Sequence, residues 1–359
     1  MNIIVLGFNH KNTPIDIREK LFITPTQQDL LLSELKNNPA ILEACVLSTC
    51  NRVEIYAHLL NEEMDLDPLL HLIFKIKNVP LNDEIRQHFY TYYGQQAIRH
   101  LLEVSAGIDS LVLGEEQILG QVKLAFERAK NFGMLSRHFN ILSNVAIRTG
   151  KKARTETNIN LGGLSVSWAA INKAEEILGD LKDRLILVIG AGKMSELAVG
   201  HIQNKQFKKL YLMNRTQDNA KNLAEKYGGE AVAFCDLKEI LSQVDICICS
   251  AGAPHYILES EVVDRIMTLR NGKRLVFIDI SMPRNIDPRV AEIKNTLLYQ
   301  IDDLKEVVGS NMKLREQAKK EVQIIIDNQV AEFIKKIQKL SKADKSDGFN
   351  SHETIDYLT

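Results

Sequence analysis

Gly190-Ala191-Gly192-Lys193-Met194-Ser195 directly follows the unbroken apolar run Leu185–Ile189 and opens a stretch with helical spacing. Few short patterns restrict a fold so strongly. Two glycines at this spacing, between a buried strand and a helix, permit a tight turn and a close backbone approach to a diphosphate. The helix N-terminus then offers free amides and positive potential to the phosphates. Ser195 stands where a third glycine is usual, and its small side chain still allows close packing. Further strands are expected at 210–213, 231–234, 246–250 and 275–280, with helices between them. That alternation predicts a parallel, doubly wound sheet.

The second strand of this region ends in Asn214-Arg215-Thr216. A site specific for NAD would usually place a carboxylate here to hold the ribose 2′-hydroxyl. An arginine with two hydrogen-bonding neighbours suits a 2′-phosphate instead, so NADPH is the expected cofactor. Its expected contacts are Gly190, Ala191, Gly192, Lys193, Met194, Ser195, Asn214, Arg215 and Thr216. A Rossmann-like sheet that binds no nucleotide is the bland alternative.

At 359 residues the chain is too long for one ordinary core. Residues 3–8, 44–47 and 53–60 read as strands, with a helix near 26–36, and helical periodicity follows over 95–106, 117–132 and 137–156. The expected organisation is a catalytic domain at 1–158, a dinucleotide domain at 159–288, a helical dimerisation segment at 289–340 and a polar tail at 341–359. The best boundary is 158–163 (Asn-Ile-Asn-Leu-Gly-Gly), followed by a linking helix at 164–178. The fold class is therefore α/β multidomain: an N-terminal α+β domain, a doubly wound Rossmann-type NADP domain and a C-terminal long helix. The amphipathic stretch 307–340 needs a partner surface for its apolar face, and a homodimer is expected to supply it.

A net charge of −1 argues against a generally basic nucleic-acid coat. Arg148, Lys151, Lys152 and Arg154 form a local cluster, which reads more simply as a solvated helix face. No apolar run reaches membrane-spanning length, so no membrane segment is expected. The opening Met1-Asn2-Ile3-Ile4-Val5 looks like a first strand and not a leader. Five cysteines without disulfide or zinc spacing suit a reducing, cytoplasmic setting.

One cysteine stands apart. Leu47-Ser48-Thr49-Cys50-Asn51-Arg52-Val53-Glu54-Ile55-Tyr56 is a polar knot between two strand-like runs. The thiol lies at a strand-to-strand junction, and a cation two residues away favours the nucleophilic thiolate. A half-buried strand-end cysteine beside a surface arginine is the competing reading. A thiol and a reduced nicotinamide on one chain suggest acyl capture as a thioester, then hydride reduction to an aldehyde. The acyl donor must then be an ester, thioester or acyl phosphate. No grouping of histidine, cysteine and carboxylate has metal-ligand spacing, so no metal is expected.

Ser48-Thr49-Cys50-Asn51-Arg52-Val53-Glu54-Ile55-Tyr56 resembles the active-site motif of the glutamyl-tRNA reductases. So do Gly7-x-Asn9-His10-Lys11-x-Thr13-Pro14-Ile15 and Leu113-Gly114-Glu115-x-Gln117-Ile118-Leu119-Gly120-Gln121-Val122-Lys123. The Gly190–Ser195 loop, Asn214-Arg215-Thr216 and Ile278-Asp279-Ile280-Ser281-x-Pro283-Arg284 fit in the same register. The resemblance implies NADPH-dependent reduction of glutamyl-tRNA to glutamate-1-semialdehyde in tetrapyrrole (5-aminolevulinate) synthesis. It implies Cys50 as nucleophile and His100 as its neighbouring proton carrier. Thr49, Asn51, Arg52, Ser110, Glu115, Glu116, Gln117 and Gln121 become substrate contacts, with Arg52 pairing in a fork with the glutamyl carboxylate. Glu116 departs from the proline common there. A homodimer and a transient contact with glutamate-1-semialdehyde aminomutase are implied as well.

Two other readings compete. A shikimate-dehydrogenase-like oxidoreductase shares the Asn-Arg-Thr pattern and needs no Cys50. A non-catalytic tRNA- or redox-sensing protein could bind NADP without forming aldehyde.

Overall fold

The computed structural model describes residues 2–61, 64–111, 113–115, 117–157, 159, 166–305 and 312–346, without the side chains of 305, 312–315 and 341–346. Glu116, most of the expected boundary at 158–163, the start of the 307–340 stretch and the tail beyond 346 lie outside these residues. Two compact units emerge. One comprises Met1–Thr13, Ile23–Leu161 and Lys313–Thr359, the other Pro14–Phe22 and Gly162–Met312.

The first unit is built on an antiparallel sheet of β1 (Ile3–Asn9), β2 (Ile41–Thr49), β3 (Arg52–Leu59) and β4 (Tyr90–Tyr93), in the order β2-β3-β1-β4. Every residue of β1 is buried, so the sheet is covered on both faces. The chain passes through α1 (Ile15–Leu21), which belongs to the other unit, before α2 (Pro25–Lys36). Thr24 starts α2 with a capping box to Gln27, and Pro25 supplies a first-turn residue without a wasted N–H. The remaining helices here are α3 (Asp67–Lys77), α4 (Asp83–Arg86), α5 (Gly94–Ala106), α6 (Gln117–Asn131) and α7 (Arg137–Glu156).

The second unit carries α8 (Val166–Leu178) and a fully parallel six-stranded sheet. Its strands are β5 (Leu185–Ile189), β6 (Lys209–Met213), β7 (Glu230–Val232), β8 (Ile246–Cys249), β9 (Leu275–Asp279) and β10 (Thr296–Gln300), ordered β10-β9-β8-β5-β6-β7. The helices α9 (Lys193–Gln203), α10 (Gln217–Tyr227), α11 (Leu237–Gln243) and α12 (Ser260–Leu269) alternate with them. The expected doubly wound α/β architecture is what forms. Cys247 and Cys249 sit side by side in its core, among Leu187, Ile189 and Phe277.

Three boundaries differ from the sequence reading. Residues 289–305 do not begin a long helix, because Thr296–Gln300 adds a parallel strand to β9. Residues 14–22 leave the first unit, because Arg18 is buried against both oxygens of Asp302 and Glu19 receives Arg284. The long helix α13 (Met312–Ser346) covers its own apolar stripe within the chain. Ala318, Val322, Ile326, Val330, Phe333 and Ile337 are all at most 9% exposed, and Arg148 of α7 binds Gln329 and Glu332 beside them. Among the described side chains this stripe is covered, although Ile324 elsewhere on the helix is 63% exposed, so the stripe itself is no ground for a dimer. Among the described residues, no helix is long and apolar enough to cross a membrane.

Two glycines of the first unit test the packing. A Cβ on Gly7 would lie 2.3 Å from the Val53 carbonyl oxygen, whereas one on Gly120 in α6 would meet nothing within 4 Å. Gly7→Ala should cost at least about 2 kcal/mol through overpacking against backbone. Gly120→Ala should gain about 1 kcal/mol from helix propensity. Urea unfolding midpoints of the two variants should shift in opposite directions.

Candidate active site

The hairpin of β2 and β3 turns on two residues, Cys50 and Asn51, with Thr49 opposite Arg52. Thr49 Oγ1 accepts the backbone N–H groups of Asn51 (3.1 Å) and Arg52 (3.2 Å), and so closes the turn. The His10 N–H donates to the Asn51 carbonyl at 2.8 Å, which ties the turn to the loop after β1. Cys50 itself is half-buried. Thr49 thus shapes the thiol's backbone.

Arg52 is not the surface arginine of the competing sequence reading. Its side chain is 1% exposed, with Nη1 2.8 Å from Glu54 Oε1 and Nη2 2.9 Å from Asp109 Oδ2. Nη2 also donates to the Asp109 carbonyl at 2.6 Å. The fork expected for a substrate carboxylate is filled by the protein's own carboxylates. Lys11 also pairs with Asp109, so the cluster sets two cations against two carboxylates.

Glu54 is the hub that the sequence reading quoted and gave no role. It is wholly buried and accepts from Arg52, from Tyr56 Oη at 2.6 Å, from Tyr90 Oη at 2.6 Å and from His100 Nε2 at 2.8 Å. Burial alone would raise its carboxyl, but Arg52 and His100 hold it well below the ordinary carboxylate range. An ionised carboxylate only accepts, so His100 carries its proton on Nε2. Gly7 permits this hub, since a Cβ there would lie 2.9 Å from Glu54 Cγ. In Asp109, too, burial opposes and Arg52 outweighs, so its carboxyl is lowered. Tyr56 and Tyr90 are raised by burial and by the Glu54 charge.

His100, Tyr90, Tyr92, Asn9, Lys11 and Asp109 line a cleft of about 430 Å³. Cys50 is not among its lining residues. Ser110 Oγ is buried with no hydrogen-bond partner. Burial raises the Glu115 carboxyl, against the attraction of Arg52 and Arg154. Gln117 and Gln121 lie one turn apart on α6, both half-buried. The basic cluster on α7 is partly committed inside the unit, since Arg154 donates to the carbonyls of Ser105, Gly150 and Glu115.

The second unit holds a separate cleft of about 770 Å³ at the carboxyl ends of β5, β6 and β8, lined by Gly190, Ala191, Gly192, Asn214, Arg215 and Thr216 among others. Strand order reverses between β5 and β8, the position where doubly wound sheets bind ligands. Gly190 has φ +111°, and a Cβ there would lie 2.5 Å from the Ser250 carbonyl oxygen. Gly192, the N-cap of α9, faces open space, so the helix N-terminus is accessible to a diphosphate. Ser195 is fully buried with Oγ 3.4 Å from the Ser250 oxygen, as close packing requires. Lys193 and Met194 do not line the cleft; Lys193 pairs with Glu196, and the Met194 carbonyl accepts from Ser167. Arg215 is exposed, and no carboxylate among the described residues pairs with it. These residues fit a dinucleotide.

One wall of that cleft depends on Asp279. Burial pushes its carboxyl up to about 6, against hydrogen bonds from the backbone of Ser281, Asn285 and Ile286. Asn285 in turn donates to the Ala253 carbonyl, which belongs to the lining.

Residues 6–157 match the family model described as glutamyl-tRNAGlu reductase, N-terminal domain, and residues 172–307 match shikimate / quinate 5-dehydrogenase. The glutamyl-tRNA reductase of Geobacter sulfurreducens is 40% identical over 95% of this chain and 78% of its own length. That of Heliobacterium mobile is 38% identical over 95% of this chain and 76% of its own. The chain belongs to the glutamyl-tRNA reductase family. It is an oxidoreductase, and the dehydrogenase match implies a nicotinamide cofactor. A solved glutamyl-tRNA reductase from Methanopyrus kandleri matches with a TM-score of 0.53 at 30% identity, over 94% of this chain and 81% of that one. Likeness to shikimate dehydrogenases is confined to the second unit, so it does not describe the whole chain.

Glu54→Gln should cost about 3 kcal/mol or more at neutral pH, because it leaves buried Arg52 short of a counter-charge. The unfolded chain takes up carboxylate protons near pH 4, whereas folded Glu54 and Asp109 resist them to lower pH. Their contribution is complete above that range and is lost as pH falls through it. Urea titrations at stepped pH should show this acid loss, with a shallower slope in Glu54→Gln.

Proposed function

We propose that the chain reduces the glutamyl ester of tRNA to glutamate-1-semialdehyde through a thioester on Cys50, supplying the aldehyde for tetrapyrrole synthesis. The observation that carries this reading is the hairpin turn itself. Cys50 sits at its tip, in a motif that matches the family, and the turn is anchored by Thr49 and by the buried Arg52–Glu54–Asp109 cluster.

In this reading Cys50 Sγ attacks the ester carbonyl carbon, the carbon–oxygen bond to the ribose breaks, and tRNA departs with a proton on the freed oxygen. His100, whose Nε2–H is held by Glu54, takes the Cys50 thiol proton on Nδ1 and passes it to that oxygen. NADPH, when bound, supplies the hydride that turns the thioester into aldehyde and returns the thiolate. Asn51, Ser110, Glu115, Gln117 and Gln121 remain substrate contacts in this proposal. Thr49 and Arg52 become positioning residues, because their polar atoms already serve the turn and the buried cluster. Lys11, a cleft cation with a side chain 56% exposed, would exchange its Asp109 partner for a substrate carboxylate.

For the cofactor, Gly190, Ala191, Gly192, Asn214, Arg215 and Thr216 would hold NADPH, with Arg215 meeting the 2′-phosphate. A homodimer and the aminomutase contact rest on the family resemblance alone. A cytoplasmic location rests on cysteine usage, with Cys45, Cys247 and Cys249 buried as thiols.

Incubation with glutamate-labelled tRNA and no NADPH should leave label on Cys50, and Cys50→Ser should abolish both label and aldehyde. Normal reduction by Cys50→Ser would sink the thioester, and tight tRNA binding without aldehyde would favour a sensor. Arg215→Ala should raise KM for NADPH about 10- to 100-fold while changing that for NADH little, as loss of a charge-assisted contact predicts.

A further inference from the structure

Away from both clefts, three side chains from three elements of the first unit converge. Glu43 of β2 and His58 of β3 are cross-strand neighbours, and His138 comes from the first turn of α7. His58 Nδ1 lies 3.0 Å and His138 Nδ1 3.6 Å from the same oxygen, Glu43 Oε2, and the two rings are 4.4 Å apart. The candidate ligand atoms of all three residues lie within 4.8 Å of one another.

The other oxygen explains why they converge. Glu43 Oε1 accepts the N–H groups of Ser136 (2.7 Å) and Phe139 (2.9 Å) at the start of α7. The carboxylate is thereby fixed, with Oε2 turned to the two rings. Glu43 is buried behind the two rings, and the cluster reaches solvent at His138, whose side chain is 32% exposed.

We propose that Glu43, His58 and His138 form a binding site for one divalent ion of the zinc class. Two neutral imidazoles and one carboxylate are a ligand set that suits zinc and not magnesium or calcium. With bonds of about 2.0–2.2 Å, ligand atoms around a tetrahedral ion stand roughly 3.3 Å apart. The separations of 3.0 and 3.6 Å bracket that value, so entry of the ion needs a small movement of the exposed His138 ring and transfer of the imidazole protons from Nδ1 to Nε2. The backbone bonds to Oε1 are the supporting contacts that orient a ligating carboxylate. Water or a small ligand completes the fourth position. The ion would clip α7 to the hairpin whose far end carries Cys50. This inference is independent of the chemistry assigned to Cys50.

The test is titration of metal-stripped full-length protein with zinc chloride and, separately, cobalt chloride. Zinc should bind at one equivalent and raise Tm by roughly 5 °C at saturating concentrations. Bound cobalt should show tetrahedral visible bands without the near-ultraviolet thiolate band that a cysteine ligand gives. His138→Ala, a partly exposed change, should weaken zinc binding about 100-fold or more, since even supporting contacts are worth 10- to 100-fold. His58→Ala should do the same if it folds. Absence of saturable one-to-one binding, a thiolate band, or undiminished affinity in His138→Ala would each overturn the site.

Discussion

A carboxylate with no exposure governs the first unit. Glu54 lies in a strand covered on both faces, where an unpaired charge would cost several kcal/mol. Its four donors come from β3, β4 and α5, and Arg52 carries the network on to Asp109. A one-residue slip of this strand would turn Glu54 away from Tyr90 and His100, its partners on β4 and α5, so the cluster fixes the register. Gly7 belongs to the same constraint. The strand beside Glu54 must pass so close that no side chain fits. The Cys50 turn therefore inherits its position from a polar network, and not from apolar packing alone.

The second unit solves a related problem with backbone. Gly190 and Ser250 come together where strand order reverses, and the approach leaves the N-terminus of α9 open. The loop after β9 has no strand partners for several N–H groups, and Asp279 accepts three of them. A carboxyl used in this way can be buried even when burial pushes its titration up to about 6. Both sites thus rest on carboxylates placed where solvent cannot reach.

Legibility in the sequence follows burial. The interior strands β5, β6, β8 and β9 are continuous apolar runs, and the glycine pair announces the turn after β5. The edge strands β4 and β10 are half-buried, Tyr-Thr-Tyr-Tyr and Thr-Leu-Leu-Tyr-Gln, and give no such run. Transfer of α1 to the second unit depends on Arg18 and Glu19 finding partners more than 260 residues away, which local pattern cannot show. The zinc-class cluster is hidden for the same reason, since its three residues have no ligand spacing along the chain. Cys50, Arg52 and His100 stand out by residue type. Their partners Glu54 and Asp109 are ordinary acids until the fold brings them together.

The two cations near the turn differ in what a substrate can ask of them. Withdrawing Arg52 toward an incoming carboxylate would take from Glu54 and Asp109 the one buried cation they share, a loss of about 3–5 kcal/mol for a broken buried pair. A single new fork at the surface cannot offset that. Lys11 is mostly exposed, and an ion pair at such a position contributes about 1 kcal/mol or less, so it can change partners at little cost. In the proposed reaction an acidic acyl group would therefore be met by exposed cations such as Lys11. Arg52 serves by staying where it is, keeping Glu54 charged and His100 held in a single tautomer.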